Sequence, residues 1–202
     1  MAQRGLHYEQ AFEHYLRANR VPYVAVDEAK KALVPATRRG ASAEAAGGAL
    51  KSFDFVVYTP QRHLLVDVKG RMFGVSGRGN PLSSRRYESW VTQDDVDSLG
   101  QWQKLFGPDF QAVFVFAYCL RQQPPDALYE EVFEFSQRWY ALREVSVGDY
   151  TARMMQRSGS WGTVHLSAAD FAAASRTFCL REGAASVRAR PCGAPGSALC
   201  SG

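Results

Sequence analysis

SFDFVVYTPQRHLLVDVKGR, residues 52–71, decides the fold. Two short apolar runs flank Thr59-Pro60-Gln61-Arg62, a turn by composition. The stretch is therefore expected to form paired strands, with Asp54 in the first and Asp67 and Lys69 in the second. Side chains alternate faces along a strand, so Asp67 and Lys69 point the same way. The opposite face of that strand is Leu64, Val66 and Val68, wholly apolar. A strand of this kind belongs inside a sheet. A carboxylate and an ammonium are costly there unless paired or ligating something. That cost marks a candidate site.

Toward the N-terminus, residues 5–19 place Tyr8, Phe12, Tyr15 and Leu16 on one helical face. Glu9 projects about 20° from Leu16, on the border of that face, whereas Glu13 lies farther toward solvent. The helix ends near Asn19-Arg20, and residues 21–26 read as a strand. Residues 27–33 suit a helical turn or two, and 36–48 a small-residue surface loop. Beyond the opening stretch, residues 70–86 read as a long loop carrying Arg71, Arg78, Arg85 and Arg86 and no acidic residue.

Thr92 caps a second helix running to Phe106, with Asp94 and Asp95 in its first turn. Its apolar face holds Val96, Leu99 and Phe106, with Gln103 between them. Residues 111–120 form a β-rich apolar run, a buried strand. Past Pro124-Pro125 come a hairpin (132–135 and 139–145), a short helix (148–155) and a strand (161–166). Ser167 and Asp170 then start a helix expected to reach Phe178.

The chain has 202 residues, 46% hydrophobic and 22% charged, the profile of one globular domain. That domain is expected over 1–182, with a core at about 5–120 and an extension at about 126–178. Residues 183–202 hold little beyond Val187 and Leu199 to bury and are expected to be disordered. No apolar run approaches the roughly 18 residues of a membrane-spanning helix. Cys119, Cys179, Cys192 and Cys200 lack metal-ligand spacing, which argues against structural zinc and a disulfide framework. With no apolar leader in MAQRGLHYEQAFEHYL, the cytoplasm is the expected location.

The order helix, strand, strand, strand, helix, strand resembles the core of the PD-(D/E)XK nuclease superfamily, the restriction-endonuclease-like α/β fold. The resemblance is carried by Asp54, then Asp67-Val68-Lys69 thirteen residues on, with Glu9 upstream. Gly5-x-x-x-Glu9 followed by Tyr15-Leu16 is similar to the first helix of the Holliday-junction-resolvase-like branch. More narrowly, His7-Tyr8-Glu9-Gln10-Ala11-Phe12-Glu13 spells the motif of the bacterial HYExAFE family. Phe53 stands where the superfamily name has proline, and Glu28-Ala29-Lys30 repeats the acidic-x-Lys spacing without a strand around it. The superfamily resemblance spans about residues 5–120 and the narrower one extends to about 178.

The resemblance implies an αβββαβ core with a central mixed sheet flanked by helices, extended by the C-terminal hairpin, strand and helices. It also implies a metal-dependent phosphodiesterase acting on DNA, selective for structure more than sequence. Asp54 and Asp67 would hold Mg²⁺ or Mn²⁺, joined by the Val68 carbonyl, because hard ions prefer oxygen ligands. Lys69 would position the attacking water or stabilise charge, and Glu9 would ligate or orient Lys69. Gln103 either bonds a backbone group or reaches the site, and Glu13 is a solvated or supporting charge. Arg71, Arg78, Arg85 and Arg86 are the candidate phosphate contacts, with RNA also open as a partner. Many relatives of this fold dimerise to cut two strands, so the resemblance leaves a homodimer open, and the residues themselves do not fix the oligomeric state. Two other functions stay open: a catalytically inactive nucleic-acid-binding module, and a partner-binding protein using the aromatic-rich residues 129–161.

Overall fold

A parallel link between two buried strands, bridged by a helix, sets the architecture. The computed structural model describes residues 3–26, 50–73, 87–120 and 131–178. The chain begins with α1 (Gln3–Ala18), β1 (Tyr23–Ala25), β2 (Phe55–Tyr58) and β3 (His63–Phe73). It continues with β4 (Val91–Thr92), α2 (Gln93–Phe106) and β5 (Phe110–Leu120). The extension comprises β6 (Val132–Phe135), β7 (Arg138–Ser146), α3 (Val147–Arg153), β8 (Met155–Ser158), β9 (Thr163–His165), α4 (Ala168–Ala174) and β10 (Arg176–Thr177).

Among the described residues the main sheet has seven strands in the order β1-β2-β3-β5-β7-β10, with β6 also beside β7. β1, β2 and β3 pair antiparallel, and β3 pairs parallel to β5 from His63↔Phe110 to Phe73↔Leu120. Parallel neighbours need a crossover, which α2 supplies. β4, β9 and β8 form a separate small sheet. The expected mixed α/β core in αβββαβ order is present, with β4 inserted before α2. Among the described residues, no helix is long and apolar enough to cross a membrane.

Period-two alternation splits the core cleanly. Tyr8, Phe12, Tyr15 and Leu16 of α1 pack on Phe55, Val57, Leu64, Val66 and Val68. On the other side Val96, Leu99, Val147, Tyr150 and Phe171 pack on Val56, Leu65, Ala112, Phe114 and Phe116. Each fully buried side chain of this size contributes about 2 kcal/mol. The sheet is thus held from both sides, and the polar face of β3 opens toward α2.

Several local expectations need correction. β3 continues to Phe73, so Gly70 and Arg71 are strand residues, not the start of a loop. Pairing with β5 carries the strand on, and Gly70 is required there: a Cβ would lie 2.0 Å from the Tyr8 ring. Asp54 sits at a bend just before β2 and not inside it. The helix after Ser167 ends at Ala174, where the chain turns to pair β10 with β7. The β6–β7 turn is as expected, with Ser136 and Gln137 at φ 49° and 60°. The expected turn at 27–33, the loop 36–48, residues 74–86 of the long arginine-bearing loop and the tail 183–202 lie outside the described residues.

Candidate functional site

The β2–β3 register pairs Phe55 with Val66, and one further step outward sets Asp54 across from Asp67. The bend at Asp54 is pinned by its neighbour. The Val68 N–H donates to Asp54 Oδ2 at 2.7 Å, and the Asp54 N–H donates to the Val66 carbonyl at 2.9 Å. The two carboxylates therefore occupy one face at the end of the β2–β3 pair. Asp67 is only 7% exposed. Lys69, two residues along the same face, places Nζ 2.8 Å from Asp67 Oδ2.

Burial raises the carboxyl pKa of both aspartates, Asp54 to about 6 and Asp67 to about 7. Repulsion adds to burial: Asp54 and Asp95 act on Asp67, and Glu9 acts on Asp54 from α1. Burial also works against the Lys69 charge, but Asp67 and Asp95 more than offset it, and its pKa is raised. The site holds more acid than its single buried ammonium balances.

The site has a member that sequence reasoning missed. Asp95 Oδ2 lies 3.3 Å from Lys69 Nζ and also accepts the Thr92 N–H at 2.9 Å. The Thr92 hydroxyl in turn accepts the Asp95 N–H, completing a capping box. Lys51 Nζ approaches Asp95 Oδ1 at 3.2 Å and Thr92 Oγ1 at 3.0 Å. Burial opposes the Asp95 charge, yet Lys69, Thr92 and Lys51 together hold its pKa below the usual carboxylate value. Asp95 was visible in the sequence as a helix-capping residue. Nothing in its spacing shows that the same carboxylate faces β3.

The remaining candidates sort clearly. Asp54, Asp67 and Lys69 are brought together, and Glu9 on α1 lies near enough to repel the Asp54 carboxylate. Glu13 is elsewhere: its Oε1 accepts from Arg17 and from the Tyr23 hydroxyl, both at 2.7 Å, tying α1 to β1. Gln103 Oε1 accepts the Ala112 N–H at 2.7 Å, so of its two expected roles the backbone bond is the one made. Arg71 follows Lys69 on the same face, but it is not an exposed loop arginine. Its guanidinium donates to the carbonyls of Gly70 and Trp90 and lies 4.0 Å over the Trp90 ring. Burial pulls its pKa down. Arg78, Arg85 and Arg86 lie outside the described residues.

The donor set suits a divalent cation. Two buried carboxylates with raised pKa values repel each other, and an ion between them would offset both that repulsion and their lost hydration. Among the described residues, no group of three or more His, Cys, Asp and Glu side chains is arranged to hold an ion. Mg²⁺ is commonly held by one or two carboxylates, with water and a substrate phosphate completing its shell. The pair fits that pattern.

No family model matches the chain, and no curated protein matches it. Among solved structures it is similar to a Holliday junction resolvase from the archaeal hyperthermophile Archaeoglobus fulgidus. The identity is 12%, the match covers 87% of this chain and 93% of that one, and the TM-score is 0.46.

Proposed function

We propose that the protein is a Mg²⁺- or Mn²⁺-dependent endonuclease that hydrolyses phosphodiester bonds in DNA, with structural rather than strong sequence selectivity. One observation carries the reading: Asp54 and Asp67 face each other at the end of two strands, with Lys69 Nζ 2.8 Å from Asp67. A structural ion pair needs one acid per base. Here Asp54 is a second buried carboxylate, and burial of unbalanced charge stabilises nothing by itself.

In this reading Asp54 and Asp67 hold the cation, and Glu9 and the Val68 carbonyl complete its surroundings. Bound Mg²⁺ or Mn²⁺ supplies Lewis acidity, lowering the pKa of a coordinated water and polarising a phosphoryl oxygen. Lys69 keeps its ammonium protonated between Asp67 and Asp95, so it serves as a hydrogen-bond donor and a positive charge. Its tasks are to orient the attacking water and to stabilise negative charge developing on the phosphate. The Val68 N–H fixes Asp54, so the carboxylate does not need to reorganise.

The test is cleavage of linear, nicked, branched and single-stranded DNA with each metal. Cleavage should require Mg²⁺ or Mn²⁺ and disappear in Asp67→Ala and Lys69→Ala. Intact DNA in every combination overturns the reading. Retarded migration of DNA without turnover, unchanged in Asp67→Ala, would identify a binding module instead.

A further inference from the structure

The small sheet beside the candidate site carries a feature that the carboxylate chemistry does not use. In β8 and β9 the register runs Met155↔His165, Gln156↔Val164, then Ser158↔Thr163, which leaves Arg157 as the extra residue of a β-bulge. Bulges break side-chain alternation and re-aim one residue. Here the exposed Arg157 guanidinium is turned to within 5.3 Å of the Trp90 ring. The same ring already has the Arg71 guanidinium at 4.0 Å. Trp90 is thus flanked by two cations. Arg157 is exposed, and among the described residues its N–H donors make no hydrogen bond or ion pair.

The turn of the same hairpin carries an exposed aromatic side chain. Trp161 is 80% exposed. Leaving a side chain of that size in water forgoes the burial that usually stabilises it. The position of the turn is fixed: the carbonyl of the adjacent Gly162 accepts the Gln93 N–H at 2.8 Å, and Thr163 pairs with Thr92. Thr92 and Gln93 begin the helix whose Asp95 holds Lys69. Trp161 therefore stands next to the helix end that closes one side of the candidate site.

A lone exposed tryptophan is unremarkable on a protein surface. An exposed tryptophan and an unpaired arginine on one hairpin, fixed at the rim of an acidic hydrolytic site, form a specific pair of functional groups. A guanidinium takes a phosphate. An indole takes the π-face of a base, and that face is open only where the base is unstacked. Duplex DNA would offer phosphates to Arg157 and nothing to Trp161.

We propose that the β8–β9 hairpin is a single-strand rim: Arg157 binds a backbone phosphate and Trp161 stacks an unpaired base beside the carboxylate pair. The ligand class is DNA with at least a short unpaired stretch, such as a flap, a gap or a fork. The placement beside a scissile bond rests on the hydrolase reading, whereas the binding itself does not.

The experiment uses the full chain with Asp67→Ala, in EDTA, so that no probe is cut. Probes are a fluorescein-labelled oligothymidylate, a blunt duplex of equal length and the same duplex with a short flap. The oligothymidylate and the flapped duplex should bind more tightly than the blunt duplex. Trp161→Ala should weaken binding of those two by about 5- to 100-fold and leave the blunt duplex unchanged. It should also remove part of the tryptophan quenching seen on adding oligothymidylate. Arg157→Gln should reduce the slope of log affinity against log salt by about 0.7 on the oligothymidylate. Equal binding of blunt and unpaired probes, or unchanged affinity in both variants, overturns the proposal. Metal-dependent cleavage of blunt duplex by the wild type, equally fast in Trp161→Ala, would leave the hydrolase reading intact while overturning this one.

Discussion

Lys69 and Asp95 meet across a strand–helix boundary, with Nζ 3.3 Å from Oδ2. Asp67 holds the same ammonium at 2.8 Å from within β3, so its position is fixed by two elements and not by one. Asp95 also caps α2, and the two tasks can be separated. Asparagine in its place still accepts the Thr92 N–H but carries no charge toward Lys69. Asp95→Asn is expected to lower the unfolding free energy, measured in urea, by less than about 1 kcal/mol. DNA cleavage should nevertheless fall by about 10- to 100-fold, mostly in kcat, because a misplaced catalytic group costs on that order. Wild-type kcat in the variant would show that Asp67 alone positions Lys69.

The acid excess at the site makes a stability prediction with a definite sign. Asp54 and Asp67 have folded-state pKa values raised above the ordinary 3.8, by burial first and repulsion second. The folded chain therefore binds protons more tightly than the unfolded one. The resulting stability is fully present below pH 4 and is lost as pH rises through about 6 and about 7. Asp54→Asn keeps an acceptor for the Val68 N–H and removes one of the two charges. In EDTA at pH 8 it should raise the Tm, by a stabilisation on the order of 1–3 kcal/mol. At pH 4 the gain should vanish. Millimolar Mg²⁺ should reverse the order by stabilising the wild type and not the variant. A variant less stable than wild type in EDTA at both pH values would contradict this account.

Gly70 links the DVK segment to the first helix. A Cβ at this position would lie 2.0 Å from Tyr8 Cδ2, in a ring that also packs edge-on against Tyr140 at 6.2 Å. Gly70→Ala must displace the ring or the strand, with a cost of about 1–3 kcal/mol. Because Lys69 is the adjacent residue, cleavage should fall with stability. Shortening the ring position by Tyr8→Leu should recover part of the lost Tm in the double variant. If the single substitution leaves Tm unchanged, the close approach of helix and strand is not needed.

How much of this was legible in the sequence depends on the range of the signal. Leu64, Val66 and Val68 alternating with Asp67 and Lys69 gave the strand, its buried face and its polar face directly. Thr92, with Asp94 and Asp95 in the turn after it, gave the start of α2, because an N-cap is a local signal. The length of β3 was hidden by Gly70, which looks like a loop residue until the Tyr8 ring is placed beside it. β10 was hidden because Arg176–Thr177 is too short to show alternation; its pairing comes from β7. Asp95 and Lys51 were missed for the same reason. Their roles arise from a contact between segments about 40 residues apart, as the Lys51 Nζ bond to Thr92 shows.

Glu144 shows how the far end of the sheet is held. It is 4% exposed in β7, and its Oε1 accepts from Arg62 at 2.6 Å and from Arg176. Arg62 also donates to Gln111 Oε1 at 2.5 Å, so one guanidinium joins the β2–β3 turn to β5 and β7. The other Glu144 oxygen, Oε2, is buried and has no hydrogen-bond partner among the described residues, so there the carboxylate depends on its two arginines. Arg176 is 61% exposed at the side chain and is the weaker support, since water screens it. Arg62→Ala should therefore destabilise more than Arg176→Ala, by about 2–4 kcal/mol against less than about 1 kcal/mol. Urea unfolding at neutral pH measures both. The loss in Arg62→Ala should shrink in the double variant with Glu144→Leu, because the buried charge is then gone and an apolar side chain fills its place. Equal losses in the two arginine variants would mean that Arg176 supports Glu144 as well as Arg62 does, despite its exposure.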